Sequence, residues 1–302
     1  LFLGALPQNT PALYSLMNYA DLVLGTWYPM GGMQKISEGM YKLALELGVK
    51  FETESDVTKI NVDQKLAKSI SFNSKNTTEF EAVISSADYH FTEQKLLDVA
   101  YRNYSESYWK SRKMAPSCLI YYIGLKEKIP NLLHHNLFFD ADFESHSNQI
   151  YADPQWPKNP LFYICCPSKT DYSVAPPEHE NLFILIPIAP DLKDNQEIRD
   201  HYFKTVVERI KLKTGTDITS SMIYFKSYAP SNFIQDYNAF KGNAYGLANT
   251  LLQTAHLKPA IKNKKVKNLF YTGQLTVPGP GVPPSIISGK LVADQVLNYF
   301  KN

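Results

Sequence analysis

The residues whose types and spacing could do chemistry lie near the end of the chain. Asn268-Leu-Phe-Tyr-Thr-Gly273 is followed by Gln274-Leu-Thr-Val-Pro278, by Gly279-Pro-Gly281-Val-Pro-Pro284, and by Ser285 with an apolar run to Phe300. This reads as a short buried strand, a Gly/Pro-rich turn and a helix. Such an order sets a helix N-terminus and closely approachable backbone at the C-terminal end of a strand. In α/β proteins that is where an electron-poor or anionic cofactor group is held. A plain strand–helix turn has the same composition, so the motif alone does not decide.

Composition narrows the field. The 302 residues are enough for one large or two ordinary domains with a real core. At 44% hydrophobic and 20% charged the chain is globular. Lysine and arginine number 31 against 29 acids, which makes no electrostatic case for nucleic acid. The 20 Tyr and 16 Phe can supply aromatic walls as well as core. Cys118, Cys165 and Cys166 form no metal spacing; an odd count with one adjacent pair fits a reducing cytoplasm better than a disulfide framework. No apolar run reaches the roughly 18–20 residues of a spanning helix. The start, Leu1-Phe-Leu-Gly, has neither Met nor a charged leader and reads as the interior of a longer chain. No Ser-His-Asp order, HExxH helix or P-loop is present, and the sequence assigns no catalytic acid or base and no metal ligand. His134-His135 reads as surface rather than as a metal pair. His90 and His256 could accept a proton, but their ordinary reading is structural.

Periodicity supplies the supporting elements. Ile36, Met40, Leu43, Ala44 and Leu47 repeat at helical spacing after Gly31-Gly32, with Gly48 as a stop. Val49–Thr53, Val57–Val62, Ala67–Phe72 and Phe80–Ser85 read as strands, with a turn at Asp63-Gln-Lys. Phe91 to Ser111 has a helical apolar face. Ser117–Gly124, Leu161–Cys166, Asn181–Ile188 and Ser220–Ser227 read as strands, Lys126–Pro160 as long loops, and Gln196–Lys213 as an amphipathic helix ended by Gly215.

Four stretches in order then carry a resemblance. They are Gly25-Thr-Trp-Tyr-Pro-Met-Gly-Gly-Met33, Val83-Ile-Ser-Ser-Ala-Asp88, Ser227-Tyr-Ala-Pro-Ser-Asn-Phe233 with Tyr237 to Gly246, and Thr272-Gly273-Gln-Leu-Thr-Val-Pro-Gly-Pro-Gly281-Val-Pro. Together they resemble the bacterial carotenoid desaturases of the phytoene desaturase type, within the FAD-dependent amine-oxidase-like flavoproteins. That family opens on a Gly-rich βαβ unit, which nothing here matches, so the chain resembles the C-terminal portion of such an enzyme, with an incomplete FAD site.

The resemblance implies an α/β plus α+β fold: part of a Rossmann-like FAD domain of glutathione-reductase type, interleaved with a substrate domain built on a mixed or antiparallel sheet with helices. It implies a substrate-side segment at 1–33, an FAD-domain segment at 34–90, a substrate-binding domain at 91–230, and a return to the FAD domain at 231–302. The implied reaction is dehydrogenation of a C40 carotenoid precursor, phytoene first, by hydride transfer to flavin N5. Gly273 and Gln274 would lie on the pyrophosphate or ribityl chain, Gly281, Val282 and Pro283 at the ring, and Val57 by the adenine. Gly279 and Gly281 would let backbone approach the ring; Pro283 and Pro284 suit a helix's first turn. The helix, starting near Pro284 or Ser285, would turn its amides toward negative charge on reduced flavin. Asp88 could belong to this site or simply cap the following helix. Trp27, Tyr28, Tyr237, Phe240 and Tyr245 would wall an apolar substrate channel. A carotenoid substrate further implies peripheral docking on the inner face of a membrane, through loops near Tyr151–Trp156 or Leu132-Leu133. The alternatives are a desaturase of a later, hydroxylated or cyclised carotenoid, another flavin oxidoreductase of the superfamily, and a fragment that binds apolar ligand or membrane without catalysis.

Overall fold

The computed structural model describes residues 4–73 and 76–301. Among these lie ten strands: β1 Val57–Asp63, β2 Leu66–Phe72, β3 Asn76–Glu79, β4 Val83–Ser85, β5 Ser117–Leu125, β6 His135–Phe138, β7 Phe162–Cys165, β8 Glu180–Ile188, β9 Met222–Tyr228 and β10 Leu269–Tyr271. The chain divides into two compact units, one of 1–11, 52–116 and 232–302, the other of 12–51 and 117–231. The helix Gln34–Glu46, grouped by sequence with the strands that follow it, is thus counted with the second unit.

In the first unit β1, β2 and β3 form an antiparallel meander. Gln64 and Lys65, both at positive φ, make the two-residue turn between Asp63 and Leu66. The meander ends where Asn268 grips it: its Oδ1 accepts the Ala67 N–H at 2.7 Å, and its Nδ2 donates to the carbonyls of Ala67 and Glu81, each at 2.8 Å. Immediately beyond, β10 pairs in parallel with β4, Leu269 opposite Val83 and Tyr271 opposite Ser85. The core beneath joins Ile60, Val83, Tyr89, Leu96, Trp109, Leu269 and Tyr271, with the Tyr89 and Tyr271 rings stacked 3.9 Å apart.

The helical pattern from Phe91 to Ser111 is broken in the structure into Tyr89–Phe91, a wide turn at Thr92–Leu96, a tight turn at Val99–Tyr101, and Glu106–Ser111. Glu93 is the cause. Its fully buried carboxylate accepts the Asn103 and Tyr104 N–H groups at 2.7 and 3.0 Å and the Tyr271 hydroxyl at 3.1 Å, turning the chain back on itself. A buried acceptor thereby captures amides that a continuous helix would have used.

The second unit is built on the antiparallel sheet β6-β7-β8-β5-β9. The helix Gln196–Thr214 covers it with Tyr202, Val206, Val207 and Ile210. Asn195 caps its start, accepting from the Ile198 N–H at 2.8 Å, and Gly215 ends it in the left-handed region. The expected long loop at 126–160 instead holds β6 and the helix Phe143–Tyr151. That helix docks through a buried histidine: His146 Nε2 meets the Pro187 carbonyl at 2.8 Å and its Nδ1 takes the Leu161 N–H at 3.0 Å. Val49–Thr53, which alternates like a strand, has no ladder partner among the described residues and stays irregular.

Burial pushes the Glu93 carboxyl up to about 7 from its ordinary 4.5. A raised folded value means stability is fully present below about 4.5 and is lost as pH rises through about 7. The melting temperature is therefore expected to fall between pH ~5 and pH ~8, and to fall less steeply in Glu93→Gln. Thermal melts across that range check it; parallel slopes in the two proteins would sink the assignment.

Candidate cofactor site

The parallel pair β4–β10 delivers two chain ends side by side. Ser86-Ala87-Asp88 leaves one strand and Thr272-Gly273-Gln274 the other, joined where the Thr272 N–H donates to the Ser85 carbonyl at 3.0 Å. A crevice at the carboxyl ends of parallel strands is the usual ligand position of an open α/β sheet. Here it is a cavity of about 600 Å³ lined by both chain ends, by Phe233–Ala239 residues, by Asn243 and Ala244, and by Ser285.

Each wall is locally fixed. Gly273, at φ +106°, donates its N–H to Ser288 Oγ at 2.8 Å, while its carbonyl accepts from the Thr276 N–H and hydroxyl. Ser288 lies in the closing helix Val282–Lys301, so helix and turn are pinned together. Asp88 caps the Tyr89 turn, taking the Phe91 N–H at 3.0 Å, and its other oxygen takes the Phe240 N–H at 3.1 Å. Its burial raises its pKa. Buried Asn243 organises the opposite wall: its Oδ1 accepts from the Gly246 N–H at 2.7 Å and from Gln274 Nε2 at 3.3 Å. Gly246 is left-handed, and a Cβ there would stand 2.9 Å from the Gln274 carbonyl oxygen, so the approach requires glycine.

The closing helix begins at Val282, two to three residues earlier than its prolines suggested. Pro283 and Pro284 carry no N–H, and the Ser285 N–H is taken by the Gly281 carbonyl at 2.9 Å. The Val282 N–H is thus the first helical donor, and the positive end of the helix dipole lies at Gly281–Val282 rather than at Ser285.

Beside this turn lie two buried polar groups with no hydrogen-bond partner, Lys258 Nζ and Asn249 Oδ1. They stand 3.4 and 3.9 Å from where a Cβ on Gly279 would be. Lys258 is 4% exposed, and burial brings its amine down to about 8. Paired strand ends, left-handed glycines, a helix N-terminus and an unsatisfied buried amine suit a large group that gains negative charge on reduction, and a flavin is such a group.

Of the residues expected from sequence, Gly273, Gln274 and Tyr237 line the cavity, while Gly281, Val282 and Pro283 form the first turn of the closing helix beside it. Phe240 adjoins the lining through its N–H to Asp88 and packs its ring 4.0 Å from His90. Tyr245 is half-buried between Asn243 and Gly246. Val57 opens β1 and packs on the core of the first unit; it is not among the lining residues. Trp27 and Tyr28 belong to the second unit, Trp27 87% exposed and Tyr28 bonded to Asp171. His90 meets Glu106 at 2.9 Å. Asn243, Asn249 and Lys258 were not singled out from sequence; isolated polar residues in a loop announce nothing until burial is known.

Comparison with known proteins supports a flavin cofactor. The family described as flavin containing amine oxidoreductase matches residues 1–297. The chain is 41% identical over 297 residues to a carotenoid 3,4-desaturase of Haloarcula japonica, covering 98% of this chain and 60% of that protein. It is 29% identical over 305 residues to a zeta-carotene-forming phytoene desaturase of Myxococcus xanthus, covering 99% of this chain and 58% of the other. The chain thus spans about three fifths of these relatives' length. Among solved structures it is similar in fold to an oxidoreductase from Methanosarcina mazei, at TM-score 0.63 and 15% identity, over 93% of this chain and 58% of that one. It is also similar to putrescine oxidase bound to putrescine, at TM-score 0.58 and 12% identity, over 89% and 53%.

A depressed folded value for Lys258 means that burying the amine costs stability in full below about 8, and that the cost fades as pH rises toward 10.5. Lys258→Met is expected to raise the melting temperature most near neutral pH, with the gain shrinking toward pH ~10, while weakening flavin retention. Melts of flavin-free protein at several pH values, with flavin absorbance after gel filtration, check both halves. A variant that is destabilised at neutral pH, or that keeps flavin fully, would refute this role.

Proposed function

We propose a function from one premise: this chain belongs to the flavin-containing amine oxidoreductase family. It is the ring-side and substrate-side part of a FAD-dependent carotenoid desaturase, an oxidoreductase. The observation that carries this reading is the cavity at the ends of β4 and β10, closed by the glycine-rich turn and the helix from Val282, in a chain similar throughout to carotenoid desaturases. The 52–116/232–302 unit is read as the flavin side and the 12–51/117–231 unit as the substrate side.

Bound flavin would supply two-electron oxidation of a carbon–carbon single bond. The chain's own residues bind and orient. Gly273 and Gln274 hold the polar chain of the cofactor, Gln274 being fixed by Asn243. The Val282 N–H, the helix dipole and Lys258 place positive potential where negative charge grows on reduction. Tyr237 and Phe233 offer apolar surface at the cavity for a hydrocarbon substrate, which needs shape more than polar groups.

The identity to a carotenoid 3,4-desaturase, 41% against 29% for the phytoene-type relative, favours a later carotenoid over phytoene as the substrate. The full-length protein, expressed in separate hosts accumulating phytoene and a conjugated acyclic carotenoid, is expected to add double bonds in the second host. Chromatography of the pigments decides. Unchanged carotenoid in both hosts, with flavin bound, would overturn the desaturase reading.

A membrane-dissolved substrate calls for a docking surface. Among the described residues no helix is long and apolar enough to cross a membrane. The loops first considered do not offer a surface patch: Trp156 packs on the core of the second unit and Leu132 is buried, leaving Leu133 alone exposed. The segment 13–30 instead exposes Leu16, Leu22, Val23, Leu24, Trp27 and Met30, an apolar density suited to the headgroup boundary. Leu22→Glu with Trp27→Ala is expected to cut co-sedimentation with phospholipid vesicles several-fold; undiminished co-sedimentation would rule the segment out.

A further inference from the structure

The second unit brings together three side chains that sequence spacing does not. β6 pairs antiparallel with β7 so that His135 stands directly opposite Cys165. His134 immediately precedes β6, its carbonyl accepting the Cys166 N–H at 2.7 Å, so the bend into the strand keeps its ring beside that of His135, centroids 4.3 Å apart. One ring nitrogen of each histidine and the Cys165 sulfur all lie within 4.8 Å of one another. Among the described residues this is the group of metal-ligating side chains that converges so closely.

Each histidine is already oriented from behind. The Thr170 hydroxyl lies 2.6 Å from His134 Nδ1, and the Tyr163 hydroxyl 2.6 Å from His135 Nδ1. Supporting bonds of this kind fix ring and tautomer in metal-binding histidines. On His134 they leave Nε2, which is buried and has no hydrogen-bond partner. The edge of Tyr28 packs on that ring at 4.9 Å, and Tyr28 is itself held by Asp171, which also takes the Gly31 N–H at 2.6 Å. A buried ring nitrogen without a partner is costly, and binding a cation through it removes the cost.

We propose that His134, His135 and Cys165 bind one divalent transition-metal ion of the zinc type, with the fourth position open to water. Two imidazoles and a thiolate are a borderline-soft donor set that selects zinc over magnesium or calcium. Bond lengths of about 2.0–2.3 Å imply ligand-to-ligand distances of roughly 3.4–3.7 Å in a tetrahedron. The present separations close to that by rotamer adjustment of about 1 Å. Since β6 is the edge of its sheet, the ion would clip the β6–β7 edge to the Thr170 loop and, through Tyr28 and Asp171, to the segment at Gly31.

The test is titration of the purified protein with Zn2+ against a chromophoric chelator, and with Co2+ followed by absorbance. One equivalent of Zn2+ is expected to bind and to raise the melting temperature by mass action. Co2+ should give a thiolate charge-transfer band that Cys165→Ala abolishes. His134→Ala, His135→Ala and Cys165→Ala should each weaken Zn2+ binding at least tenfold, since losing even a group that only supports a ligand costs about that much at other metal sites. His201→Ala, an exposed histidine elsewhere, should not. Melts in excess chelator show whether each variant still folds. Sub-stoichiometric binding by the parent protein, or binding that survives in Cys165→Ala and His135→Ala, would overturn the proposal.

Discussion

Everything at the candidate cofactor site hangs on three residue pairs. Val83, Ile84 and Ser85 meet Leu269, Phe270 and Tyr271 in parallel, and this pairing sends the chain ends that carry Asp88 and Gly273 out side by side. Short parallel ladders are weak by themselves. This one is reinforced from both ends, by Asn268 tying the strand to the meander and by Ser288 tying the turn to the closing helix. The stacked rings of Tyr89 and Tyr271 lie beneath it, and Glu93 holds the Tyr271 hydroxyl. Polar groups that would be liabilities singly are here members of one network, each with its partner.

Lys258 and Asn249 break that rule, and their position says why. Buried groups in a folded chain find partners, and exceptions gather where a ligand is to come. These two flank Gly279, in the turn that sequence marked as cofactor-shaped. A buried amine without a partner costs the unit stability, and under the proposed function that cost would keep a positive potential ready for a reduced cofactor.

How much of this was legible follows the kind of signal each element carries. Strands with continuous apolar runs, such as β5 and β8, and helices with two clear caps, such as Gln196–Thr214, could be read directly. The turn from Gly273 to Pro284 was legible because Gly273, Gly279 and Gly281 take positive φ and prolines stand among them. The helix Phe143–Tyr151 was not, since it docks through His146 rather than through an apolar stripe. Nor was the break after Phe91: its apolar spacing is helical, and a single buried carboxylate overrides it. Register across strands is equally silent in a sequence, and so Cys165 could not be set against His135.

The pairing of β4 with β10 also governs when this protein becomes itself. Residues 86 to 268 lie between the two strands, so their union carries a large loop-closure cost and comes late. During synthesis β4 emerges and waits with its β10-facing edge unpaired while residues 117–231, the larger part of the second unit, are made. Only when Leu269–Tyr271 leaves the ribosome is that edge covered and the crevice formed. A cofactor that needs both strand ends would therefore be acquired only once β10 has been made and has paired with β4.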